Sequence, residues 1–84
     1  MIFVFSSVTA AKRVEKTIAK HGVISQIIHT PKSLGKSGCS HSVRFKDADF
    51  DVVRKVVSNS EITPLGAYYE TFSNGRHIYS EVRL

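Results

Sequence analysis

Ile2-Phe3-Val4-Phe5 is an unbroken apolar run closed by Ser6-Ser7, the pattern of a strand buried on both faces. The period then changes. Ala10, Ala11, Val14 and Ile18 fall on one face of a helix, with Lys12, Arg13, Lys16 and Lys20 towards the other. Ser7 stands where an N-cap belongs and Gly22 where a left-handed C-terminal residue belongs. Lys16 and Lys20 suit the negative end of the helix dipole. Residues 23–29 predict a second strand, with β-branched bulk from Ile24, Ile27 and Ile28. Residues 30–38 form a Pro/Gly/Ser/Lys loop in which Leu34 is the only large apolar side chain.

Alternation with a two-residue period resumes over 40–45. His41, Val43 and Phe45 are expected to face the core, and Ser40, Ser42 and Arg44 the opposite side. Asp47 or Asp49 can cap a second helix, whose Phe50, Val53 and Val57 form an apolar stripe flanked by Val52 and Val56. Ser58-Asn59-Ser60 ends it. Strands over 65–72 and 77–82 flank Ser73-Asn74-Gly75-Arg76, and Asn-Gly between two strand-like runs is a strong hairpin signal. The returning strand belongs at an edge. The order β-α-β-β-α-β plus a terminal strand predicts an α+β, ferredoxin-like sandwich: an antiparallel sheet with both helices on one face. No linker, low-complexity stretch or repeat interrupts the chain, so residues 1–84 read as a single domain.

Composition narrows the classes. A hydrophobic fraction of 42% and a charged fraction of 23% argue against disorder. No apolar run approaches the roughly 20 residues of a membrane span, and the start lacks the basic region of a secretory signal. One cysteine cannot form an internal bridge, so a cytoplasmic protein with Cys39 as a free thiol is expected. The 12 Lys+Arg against 7 Asp+Glu give a net charge of +5, which admits an anionic partner. The strand order is also that of the RNA-recognition motif. Aligned on Val43 and Phe45, however, the upstream stacking aromatics are replaced by Ser40 and Ser42. The basic residues alone give only salt-sensitive, sequence-blind attraction, which argues against a nucleic-acid binder.

Candidate chemistry centres on Cys39, at the end of the basic, glycine-containing loop. Lys32, Lys36, His41 and Arg44 are close in sequence, and cationic neighbours favour a reactive thiolate. A buried, inert cysteine is the plain alternative. His41 shares a face with Cys39 if both lie in the strand, and His29 stands at the loop's other rim. No carboxylate is near in sequence to complete a Cys/His/Asp arrangement. No CxxC or HxxxH pairing exists, so neither a metal site nor a cofactor is expected. His21 suits a helix end and His77 a strand surface. Tyr68 and Tyr69 fall on opposite sheet faces, so one is free to face a partner. With the terminal hairpin this defines an alternative function, a non-catalytic homo-oligomerisation or interaction module.

Three segments together resemble the small family of selenium/sulfur carrier-like proteins. They are Phe3-Val4-Phe5-Ser6-Ser7 with Ala11 and Glu15-Lys16, then Ile27-Ile28-His29-Thr30-Pro31-Lys32, then Ser37-Gly38-Cys39-Ser40 leading into Val43-Arg44-Phe45. The resemblance covers residues 2–57. Two positions depart from it: Lys32 replaces an arginine, keeping the charge but losing a bidentate fork, and Ser40 replaces the glycine after the cysteine. The resemblance implies a carrier or accessory protein rather than a stand-alone enzyme. Cys39 would take up sulfur or selenium as a persulfide or selenosulfide between donor and acceptor proteins. Lys32, Lys36, Gly38, Ser40 and His41 would tune the thiol or meet the partner.

Overall fold

The computed structural model describes residues 1–34 and 40–83. Its organising element is β1 (Ile2–Phe5), in which all four residues are 0% exposed. An apolar strand of this kind needs neighbours on both edges and cover on both faces. β3 (His41–Phe45) and β4 (Gly66–Ser73) flank it, both antiparallel. Outside them lie β2 (Ser25–His29) and β5 (Arg76–Val82), giving the order β2-β3-β1-β4-β5 with antiparallel neighbours throughout.

One face of the sheet takes both helices. Phe3, Phe5, Val43, Phe45 and Ala67 form a cluster with Ala11, Val14 and Ile18 of α1 (Val8–Ala19) and Val53 and Val57 of α2 (Phe50–Ser58). Phe3 meets Phe45 and Phe50 edge-on, at 5.3 and 6.2 Å between ring centroids. The opposite face has its own smaller cluster of Ile2, Val4 and Tyr68, against which Ile28, Leu34 and Tyr79 pack. Gly66 leaves room for this: a Cβ there would lie 3.1 Å from the Tyr68 ring.

Local signals decide the ends of the elements. The Ser7 hydroxyl accepts the Ala10 N–H at 3.1 Å, and Gly22 follows α1 with φ of 83°. α2 is entered differently from the expected aspartate cap. Asp49 holds the N-cap position without a capping hydrogen bond, after a 3₁₀ turn over Asp47–Asp49. The Asp47 carboxylate instead lies 2.8 Å from the Met1 ammonium, which also donates to the Phe45 carbonyl at 3.0 Å. β2 begins two residues later than the sequence pattern suggests, leaving Ile24 82% exposed. Leu65 likewise falls outside β4 and is 49% exposed. Asn74 (φ 53°) and Gly75 (φ 76°) make the two-residue turn between β4 and β5. No helix among the described residues is long and apolar enough to cross a membrane.

A polar network borders the smaller cluster. Arg44 donates to both Glu70 oxygens at 2.9 and 2.7 Å. The Tyr79 hydroxyl donates to Glu70 Oε2 at 3.3 Å, and His77 Nδ1 lies 3.3 Å from the same oxygen. Burial pushes the Tyr79 phenol up, the Glu70 charge and hydrogen bond add to this, and Arg44 partly opposes it. The folded state therefore favours the neutral phenol. That contribution is fully present below the ordinary tyrosine range and is lost as pH rises through the raised pKa.

Two outcomes are expected. The spectrophotometric titration difference between wild type and Tyr79→Phe should show a phenol ionising above the free-tyrosine value of about 10, and Glu70→Gln should bring it down. A Tyr79 transition at the free value would contradict the network. Phe3→Ala should destabilise the fold by about 3–5 kcal/mol in urea unfolding, because Phe3 fills the centre of the larger cluster.

Candidate functional site

Of the site residues singled out from the sequence, Lys32, Ser40 and His41 are described, and they lie in or beside the β2–β3 stem. β2 ends at His29 and β3 begins at His41, and these two residues are cross-strand partners. His41 also pairs with Phe5, two residues before the Ser7 cap of α1. The positive end of α1 therefore lies at the same end of the sheet as the stem, and its first turn carries no acidic residue. Asp47 is at the far end of β3, engaged by Met1.

The stem is closed by polar bonds that extend the β2–β3 ladder. Thr30 N–H donates to the Ser40 carbonyl at 3.4 Å, and the Thr30 and Ser42 hydroxyls share a hydrogen bond of 2.8 Å. Ser42 is 0% exposed and Ser40 2%, so these serines are interior residues of the sheet face without helices. Leu34, Tyr68 and Tyr79 pack on that face. Beyond Pro31 the chain makes a 3₁₀ turn over Lys32–Leu34, with Leu34 N–H donating to the Pro31 carbonyl at 3.1 Å. Leu34 then packs against the Ile2-Val4-Tyr68 cluster. Leu34 and Ser40 thus hold the two sides of the stem against one packed face.

The individual candidates divide as follows. Lys32 is exposed beside the stem, Ser40 is buried in it, and His41 is half-buried at its base. The His41 ring lies 4.9 Å from that of exposed His29, tilted by 41°. His41 Nδ1 is buried and has no hydrogen-bond partner among the described residues. Cys39, Lys36 and Gly38 lie outside the described residues. No group of three or more His, Asp or Glu side chains able to hold a metal ion occurs among the described residues. Arg44, placed near Cys39 by sequence, is committed to Glu70.

The Thr30–Ser42 clamp and the Leu34 anchor were not legible as such. Thr30 and Ser42 are separated by the whole loop, and only the β2–β3 register reveals that they meet. The Arg44–Glu70 pair is still more remote, bridging β3 and β4 across β1.

The described residues thus define a small α+β protein of five antiparallel strands and two α-helices, with a clamped β2–β3 stem. The family model described as "Putative Se/S carrier protein-like" matches residues 1–69, and the chain belongs to that family. The match reaches beyond the resembling segments, through α2 and into β4. No curated protein and no solved structure matches the chain.

The clamp makes a direct prediction. Thr30→Val should cost about 1–3 kcal/mol, because it leaves a fully buried Ser42 hydroxyl unpaired. Adding Ser42→Ala should recover part of that loss. Strictly additive effects in chemical unfolding would show that the two hydroxyls do not depend on each other.

Proposed function

We propose that the protein carries sulfur or selenium on Cys39, between a donor and an acceptor protein in the cytoplasm. The observation that carries this reading is the family match over residues 1–69, which spans the Thr30-Pro31-Lys32 segment and Cys39-Ser40. The described surroundings suit it: a stem fixed by Thr30, Leu34 and Ser42, and an exposed Lys32 at its base. The strand order, with both helices on one face, supports a ferredoxin-like arrangement of a single domain over residues 1–84.

In this reading the Cys39 thiolate attacks the terminal sulfur of a donor persulfide. A new S–S bond forms to Cys39 as the donor's S–S bond breaks, and the donor leaves as thiolate. The persulfide proton and electron count are unchanged, so no external oxidant enters. A selenosulfide forms by the same exchange when selenium is terminal. Lys32, Lys36 and His41 act by favouring the thiolate or by attracting an acidic partner surface. Gly38 and Ser40 flank the thiol in sequence and would meet the partner, and the Ser40 carbonyl is held in the stem by the Thr30 N–H.

Incubating the reduced protein with a low-molecular-weight persulfide should add one sulfur atom to its intact mass. Cys39→Ser should abolish the gain. Alkylation of Cys39 at neutral pH should also be faster in the folded protein than in the urea-unfolded chain. A wild type that takes up no sulfur, or a serine variant that takes up as much, would sink the proposal.

A further inference from the structure

β5 is an edge strand of seven residues, above the common strand length of about five or six. It contains neither proline nor lysine, two of the devices that prevent an edge from pairing, and its charged residues are Arg76 and Glu81. Only residues 66–68 of β4 pair with β1, so the rest of the β4–β5 ribbon has no third strand to support it. Ribbons of two strands are marginal alone.

The phase of the backbone identifies which groups point outward. Met1 and Phe45 exchange both N–H···O bonds, at 3.0 Å each, so the odd residues of β1 face β3 and the even ones face β4. Carrying this alternation through the β1–β4 and β4–β5 registers, Ile78 and Ser80 bond towards β4. His77, Tyr79 and Glu81 then direct their N–H and C=O groups to the free edge. The two-residue Asn74-Gly75 turn, which pairs Ser73 with Arg76, gives the same phase.

These three residues are symmetric about Tyr79, the middle of β5. In an antiparallel self-pairing centred there, Tyr79 faces its own copy and each His77 faces Glu81 of the other copy. Every outward backbone group of the three finds a partner, all seven residues are used, and unlike side chains oppose one another twice. Shifting the centre to Ile78 or Ser80 keeps the backbone phase but loses the His77/Glu81 pairs. The other sheet edge offers no equivalent. There the same phase turns Ser25, Ile27 and His29 outward, and self-pairing about Ile27 sets serine against histidine.

We propose that two copies of this chain associate through β5, antiparallel about Tyr79, to form one sheet continuous across a two-fold axis. The dimer goes beyond the carrier reading and does not depend on Cys39. It places the two β2–β3 stems at opposite ends of the shared sheet, so each remains open to its own partner.

Sedimentation equilibrium of the reduced full chain, over a wide concentration range, tests this. Wild type should be a dimer. His77→Pro should give a monomer, since proline removes an outward N–H and leaves the β4 ladder intact. Glu81→Lys should weaken association by about tenfold or more, because its effect is doubled by symmetry. The swap His77→Glu with Glu81→Lys should restore it. Circular dichroism and thermal midpoints near wild type would verify folding, and Glu81→Lys remains decisive if the proline variant misfolds. A wild-type monomer throughout the range would overturn the proposal. So would a dimer indifferent to Glu81→Lys, a swap that restores nothing, or a dimer that disappears on reduction.

Discussion

The burial of β1 on both faces is the constraint from which the rest of the architecture follows. Ile2, Phe3, Val4 and Phe5 are all fully buried, so neither side of the central strand can be left to solvent. Phe3 and Phe5 are covered by the two helices. Among the described residues, Ile2 and Val4 are covered not by a helix but by Tyr68, Tyr79, Ile28 and Leu34. Leu34 ends the 3₁₀ turn that follows Pro31. Leu34 thus serves both the cover of the sheet and one arm of the β2–β3 stem.

That dependence gives the stem its character. Loops seldom contribute to a core, since their backbone polar groups must still be satisfied. Here the cost is met locally: Pro31 accepts from Leu34, and Thr30 bonds to Ser40 and Ser42. The apolar anchor sits on one arm of the stem and the polar clamp joins both arms.

Much of the fold was readable because its signals are local. The strand-forming run of β1, the Ser7 cap and Gly22 stop of α1, and the Asn74-Gly75 turn each rest on neighbouring residues. The failures share a different origin. Ile24 has strand propensity, yet β3 supplies a partner only from Ser25 onward. Asp49 stands at the N-cap position without bonding there, while Asp47 goes to an ammonium group at the far end of the sequence. Ser40 and Ser42 lie on the sheet face opposite Val43 and Phe45, as alternation implies, but their burial there depends on residues distant in sequence. Nothing in the local pattern of Arg44 signals Glu70. The family was legible from residue order and spacing; Cys39 lies outside the described residues, and the clamp was not legible, because hydroxyl pairing across a sheet follows from register alone.

A carrier must release its cargo as well as accept it, and the manner of release separates carriage from mere oxidation. The reduced protein, loaded with one sulfur on Cys39, would be mixed with a small-molecule thiol, and both products followed by mass. Attack on the terminal sulfur returns Cys39 as thiolate and leaves the acceptor as a persulfide. The account predicts return to the unloaded mass, an equivalent of acceptor persulfide, and full capacity for a second loading. Attack on the inner sulfur would instead leave Cys39 in a mixed disulfide and expel hydrosulfide. That product, or a loaded protein that does not discharge, would contradict the carrier account.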